Sequence, residues 1–301
     1  MRKFIMIALH LVALAAMTKS YAQQLQTSSL YDMQGVLHNP SMAGVQQYNI
    51  AGVTYKSQWS GISGAPKTAT AFGSFDLPKQ KIGIGGFVYN DKTGPTSRTG
   101  LQLSLAKHIV MKNDAKFSIG IAPSIMQYSI DRSKLAETLG DDAALGNVDN
   151  KIKFDVAFGV SYTDKRFQLG ASVSQLVQSK LDYYKGNLLR TEEARFYRHY
   201  YFHGNYNWNV DDVTTITPNF LVIWLPNAPT DFQVGVKVEH NKILWWGVGY
   251  KSRQSYILSA GVNISKKITL GYAFNDYITP ISTFDGGSYG HEFILRYNFI
   301  K

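Results

Sequence analysis

The 301-residue chain carries a net charge of +10 and no cysteine, with 17% charged and 13% aromatic residues. The missing cysteines exclude disulfides and thiolate metal sites, and the charged fraction falls below the roughly 25% usual in soluble domains. The basic residues are dispersed in short turns such as Lys79-Gln80-Lys81, Asp164-Lys165-Arg166 and Lys266-Lys267, which argues against nucleic acid as a partner.

The chain opens like an export signal. Arg2 and Lys3 form a charged start, Phe4 to Met17 an apolar run, and Ser20-Tyr21-Ala22 a small-x-small cleavage site, so residues 1–22 are expected to be removed. The apolar run is too short to span a bilayer, and no later run is long enough for a transmembrane helix. Residues 23–47 are irregular, with turn chemistry at His38-Asn39-Pro40 and the small pair Ala43-Gly44. Leaving Leu30, Tyr31, Met33, Val36 and Leu37 in water would be costly. A plug inside a barrel mouth is therefore expected, and a tail that orders on a partner is the alternative.

From residue 48 to 301 the dominant signal is period-two alternation. It marks fourteen segments, at 48–59, 67–76, 82–90, 96–109, 115–130, 153–163, 166–177, 197–210, 214–225, 230–239, 243–251, 255–265, 268–276 and 291–301. Phe154, Val156, Phe158, Val160 and Tyr162 alternate with Asp155, Ala157, Gly159 and Ser161. In the last segment Phe293, Leu295, Tyr297 and Phe299 face opposite to Ile294, Arg296 and Asn298. The long connections 131–152, 178–196 and 277–290 all follow odd-numbered segments, and those after even-numbered ones are short. Long loops on one side and tight turns on the other predict an all-β fold, a transmembrane antiparallel β-barrel of about 14 strands. Its apolar face would meet outer-membrane lipid and lipopolysaccharide, its long loops would lie outside, and both termini would be periplasmic. The row Phe293, Leu295, Tyr297 and Phe299 would serve as the insertion strand.

No motif announces chemistry. His-Glu-x-x-His, a phosphate-binding Gly-rich loop and Gly-x-Ser-x-Gly are all missing from the sequence. Gly83-Ile84-Gly85-Gly86 lies inside an alternating strand, where its glycines read as lumen-facing or close-packed. Asp141, Asp142 and Asp149 read as a solvated acidic loop, and His199 and His203 as rim residues rather than a metal pair. Neither enzyme activity nor any cofactor or metal is expected.

One set of residues goes beyond pattern. His38-Asn39-Pro40-Ser41-Met42-Ala43-Gly44, then Gln58-Trp59-Ser60-Gly61 and Gly64-Ala65-Pro66, resembles the PorP/SprF family of Bacteroidetes, as does the last strand. Ser41 and Lys56 stand where that family usually has Ala and Arg. The resemblance implies Asn39, Pro40, Ala43, Gly44, Gln58, Trp59, Gly61, Gly64, Ala65 and Pro66 as motif positions. It also implies a part in type IX secretion and gliding, with periplasmic and outer-membrane secretion components as partners and, for some members, a secreted adhesin. A docking barrel and a channel for hydrophobic or small solutes both fit at this point.

Overall fold

The computed structural model describes residues 27–46, 48–111, 114–131, 150–180, 196–226, 228–278 and 289–300. The segment read as an export signal lies outside these residues. So do most of the three long connections and the acidic loop of Asp141, Asp142 and Asp149.

The strands are β1 (Asn49–Ser57), β2 (Lys67–Leu77), β3 (Ile82–Thr93), β4 (Thr96–Val110), β5 (Lys116–Ile130), β6 (Asn150–Thr163) and β7 (Phe167–Ser174). They continue as β8 (His199–Tyr206), extended by Trp208–Asn209, β9 (Thr214–Trp224), β10 (Asp231–His240) and β11 (Leu244–Lys251). β12 (Ser255–Ile264), β13 (Ile268–Tyr277) and β14 (Tyr289–Phe299) complete the series. Each pairs antiparallel with its sequence neighbours, and β14 returns to β1 from Asn49–Phe299 to Ser57–His291, closing the sheet. Closure removes the edges that would otherwise expose unpaired backbone groups in lipid.

Prolines locate the two breaks in the ladder. Pro123 on β5 stands where the β4 pairing skips from Gln102–Ser124 to Leu105–Ile121. Pro218 on β9 faces the interruption between β8 and its extension, where Asn219 pairs Asn205 and Ile216 pairs Trp208. Neither proline has an N–H to give.

The faces follow the alternation. Phe154, Phe158, Leu270, Phe293, Leu295, Tyr297 and Phe299 are exposed, whereas Ala157, Ser161, Ile294 and Asn298 are buried inward. Aromatic pairs lie at both ends of the exposed face, Tyr200–Trp224 and Tyr250–Tyr256 at one and Phe75–Phe299 and Tyr162–Phe167 at the other. Two such belts are what a bilayer with two interfaces selects.

The end that carries Asn49 and Phe299 is made of tight turns, and we call it the turn end; the opposite one is the loop end. At the turn end, Asn241 and Lys242, and Ser265 and Lys266, adopt positive φ in two-residue hairpins. The Asp164 carboxylate accepts from the N–H groups of Arg166 and Phe167, at 2.8 and 2.7 Å, which holds its pKa below the ordinary carboxylate range.

Candidate functional site: the plugged lumen

Residues 27–46 pack inside the barrel as three short 3-10 turns, Tyr31–Met33, Gly35–Leu37 and Pro40–Met42. Leu30, Tyr31, Met33, Val36, Met42 and Ala43 are all buried, so the apolar residues that would be costly in water are covered.

The plug begins at the loop end. Lys56, near the end of β1, donates to the Thr27 carbonyl at 2.6 Å and lies 3.9 Å from Glu292. Lys251, the last residue of β11, donates to Thr27 Oγ1 at 2.6 Å. Glu292 in turn accepts from Ser28 Oγ and, at 2.7 Å, from the Ser29 N–H. Two cations and one carboxylate on three separate strands thus fasten three consecutive residues of the plug. Deeper in the lumen Asp32 pairs with Lys237 of β10, and Tyr31 donates to Asn219 of β9 at 2.6 Å.

The chain then crosses to the opposite wall. Asn39, fully buried, caps the last turn by accepting from the Ser41 N–H at 3.0 Å. Its amide donates to Val160 O of β6 at 3.1 Å and to Ala171 O of β7 at 3.4 Å, and lies 2.9 Å from His203 Nε2. Pro40 fixes φ at the first position of the turn. Contact with the wall is so close that it requires glycine there. A Cβ on Gly120 would sit 2.4 Å from the Ser41 nitrogen, and one on Gly83 only 1.9 Å from the Ala43 carbonyl. Gly44, at φ +69°, turns the chain past β2 and β3, with its N–H donated to Ser74 Oγ at 2.8 Å.

The motif positions therefore divide between the two ends of the barrel. Asn39, Pro40, Ala43 and Gly44 pack toward the turn end. Gln58, Trp59, Gly61, Gly64, Ala65 and Pro66 form the β1–β2 connection at the loop end, closed by Gln58 N–H to Pro66 O at 2.9 Å. Gln58 donates to the Tyr277 hydroxyl at 3.1 Å, and the Trp59 ring meets Tyr277 edge-on. Gly64, at φ +75°, ties this connection to the β3–β4 turn through Gly94 N–H to Gly64 O at 2.8 Å.

One expectation needs correction. His203 is not at the rim: it is buried at 2% exposure against Asn39 and the His38 ring, because its position on β8 points into the lumen where the plug passes. His199 is equally buried and bonds Gln175. Among the described residues the chain is first seen at the loop end, at Thr27, and last at the turn end, after Phe299, because the plug runs the depth of the lumen before β1 begins. The fastening residues Lys56, Lys237, Lys251 and Glu292 escaped the sequence reading. Their signal was a charge on an inward-facing strand position. Among the described residues no group of three or more His, Asp or Glu gathers as a metal site.

A closed fourteen-strand sheet, apolar outside, belted by aromatics and filled by its own N-terminal segment, is an outer-membrane β-barrel. The chain belongs to the type IX secretion system membrane protein PorP/SprF family, whose model matches residues 20–297. No curated protein matches it. Among solved structures it is similar to a Pseudomonas aeruginosa FadL homologue, with 11% identity, 87% of this chain and 93% of that one covered, and a TM-score of 0.49. The Acinetobacter baumannii outer membrane protein Omp33 shares 8% identity over 84% of this chain and 98% of its own, with a TM-score of 0.46. The CymD monoaromatic hydrocarbon channel shares 10% over 89% and 93%, with a TM-score of 0.49.

Proposed function

We propose that this protein is a closed docking barrel of the type IX secretion machinery, anchoring periplasmic components or a secreted adhesin rather than conducting solutes. The observation that carries this reading is the lumen occupied along its depth by residues 27–46, fastened to β1, β6, β7, β10, β11 and β14. A solute channel needs a continuous wet path, and these contacts stand across it. The protein is not an enzyme in this reading, in which His203 and Glu292 serve to hold the plug.

The turn end is the periplasmic face in this proposal, since outer-membrane barrels carry their short turns there. Trypsin added to intact cells is then expected to cut within the connections 131–152 and 178–196, which carry Lys and Arg, and to spare Lys79 and Lys266. Cleavage at those two turns would reverse the orientation. The exposed cations of the turn end, Lys79, Lys165, Lys266 and Lys267, suit a partner with an acidic surface. Replacing Lys79, Lys266 and Lys267 by Glu is expected to lower crosslinked co-purification of periplasmic secretion components several-fold, with the barrel still folded. Undiminished co-purification would remove the turn end from the docking surface. Steady conductance by the intact protein in planar bilayers would favour the channel instead.

A further inference from the structure

The plug leaves part of the lumen unfilled. Toward the loop end a cavity of about 170 Å³ remains between the plug and the wall formed by β2 to β9. Phe87, Met126, Tyr201 and Leu221 give it an apolar lining. A cavity of roughly 150 Å³ with such a lining admits one benzene-sized molecule.

Two of its lining residues present acceptors with no partner among the described residues. Gln34 is 1% exposed; its Nε2 donates to Ser28 Oγ at 2.8 Å, while Oε1 is buried and unpaired. Asp155 accepts from the N–H groups of Val156 and Val177 through Oδ1, at 2.7 and 3.1 Å, with the Gln178 N–H and the Arg198 cation also acting on its carboxylate, while Oδ2 is buried with no hydrogen bond of its own among the described residues. The bordering cations are already engaged. Arg98 lies over the Tyr128 ring, 5.7 Å from its centroid, and Lys153 has an interaction of its own. Buried acceptors next to an apolar space need a donor.

We infer that this cavity binds a small amphiphile, a body of about one ring carrying a hydroxyl or ammonium group that donates to Gln34 Oε1 or Asp155 Oδ2. The chemistry separates probes of similar size. Phenol has the ring and the donor, toluene the ring alone, and benzoate brings an anion toward a carboxylate. The site is independent of docking at the turn end and stands or falls separately from it.

The test is titration calorimetry of the purified full-length protein in detergent with phenol, toluene and benzoate. Saturable phenol binding is expected, about fivefold tighter than toluene for one hydrogen bond, with benzoate weakest. Ala157 lines the cavity at 5% exposure, so Ala157→Leu should fill the space and abolish binding. Gln34→Leu should keep toluene binding and reduce the preference for phenol. The heat-dependent gel mobility of folded barrels checks both variants. No saturable phenol binding would mean that water alone occupies the cavity and would overturn the inference. Phenol binding unchanged in Ala157→Leu would assign it to the micelle or the outer wall, with the same consequence. Should Ala157→Leu fail to fold, an unchanged phenol-to-toluene ratio in the double variant Gln34→Leu with Asp155→Asn, which removes both acceptors, is enough to reject the site.

Discussion

Deleting residues 28–44 is expected to turn a silent barrel into a conducting one. The deletion removes the plug partners of Lys237 and Glu292 and cuts loose Thr27, to which Lys56 and Lys251 donate, leaving charged side chains around an open lumen that water then fills. In planar bilayers the intact protein should show no steady current and the deletion should show open-channel steps. In cells the same change should raise sensitivity to small antibiotics. Asn39→Leu is a gentler form of the test. It leaves the buried Ser41 N–H unpaired, at a cost of about 1–3 kcal/mol, and removes the additional bonds to the ladder carbonyls Val160 O and Ala171 O. Only the half of the plug near the turn end loses its attachment, so brief openings are expected rather than a stable current. A deletion variant that folds and stays silent would show that residues 27–46 do not close the lumen.

The wall was legible in the sequence and the fastening of the plug was not, for a physical reason. Alternation along one strand is set by that strand's own environment, so Phe154 to Tyr162 and Phe293 to Phe299 show their outward faces residue by residue. The tight turns and the oddness of the long connections are equally local. What depends on a partner far along the chain leaves a fainter mark. Strand β8 breaks at Asn207 because Pro218 faces the break from β9. Strand β7 ends at Ser174, short of the expected 177, where Gln175 takes φ 60° and the Asp155 carboxylate receives the Val177 N–H. Lys56 and Glu292 meet the plug only once β14 has closed on β1, a pairing that local periodicity cannot show. The segment before β1 did reveal that it packs, through its apolar residues and Asn39-Pro40. Its path from the loop end to the turn end depends on where those distant charges stand.

Leu295→Arg is expected to lose most of the folded protein from the outer membrane. Leu295 is 46% exposed on the outer face and pairs with Val53 near the middle of β1 and with Leu270 on β13, well inside the aromatic belts. An arginine at the bilayer midplane of a barrel costs about 2–4 kcal/mol, against about 0–1 kcal/mol near the interfaces. Phe299 provides the internal control. It shares the same outward row but sits at the turn end, opposite Asn49, in the belt it forms with Phe75. Phe299→Arg should therefore be milder by roughly 2–3 kcal/mol. The comparison also removes a confusion, since both residues lie on the strand that closes the barrel and is expected to direct its insertion. Damage to the insertion signal alone would affect both variants, whereas the cost of burying a charge in hydrocarbon falls with distance from the midplane. Refolding into vesicles under urea, read by heat-dependent gel mobility, measures the difference without any assembly machinery. Equal stability of the two variants there would place Leu295 away from the hydrocarbon centre and would require a different tilt for the whole wall.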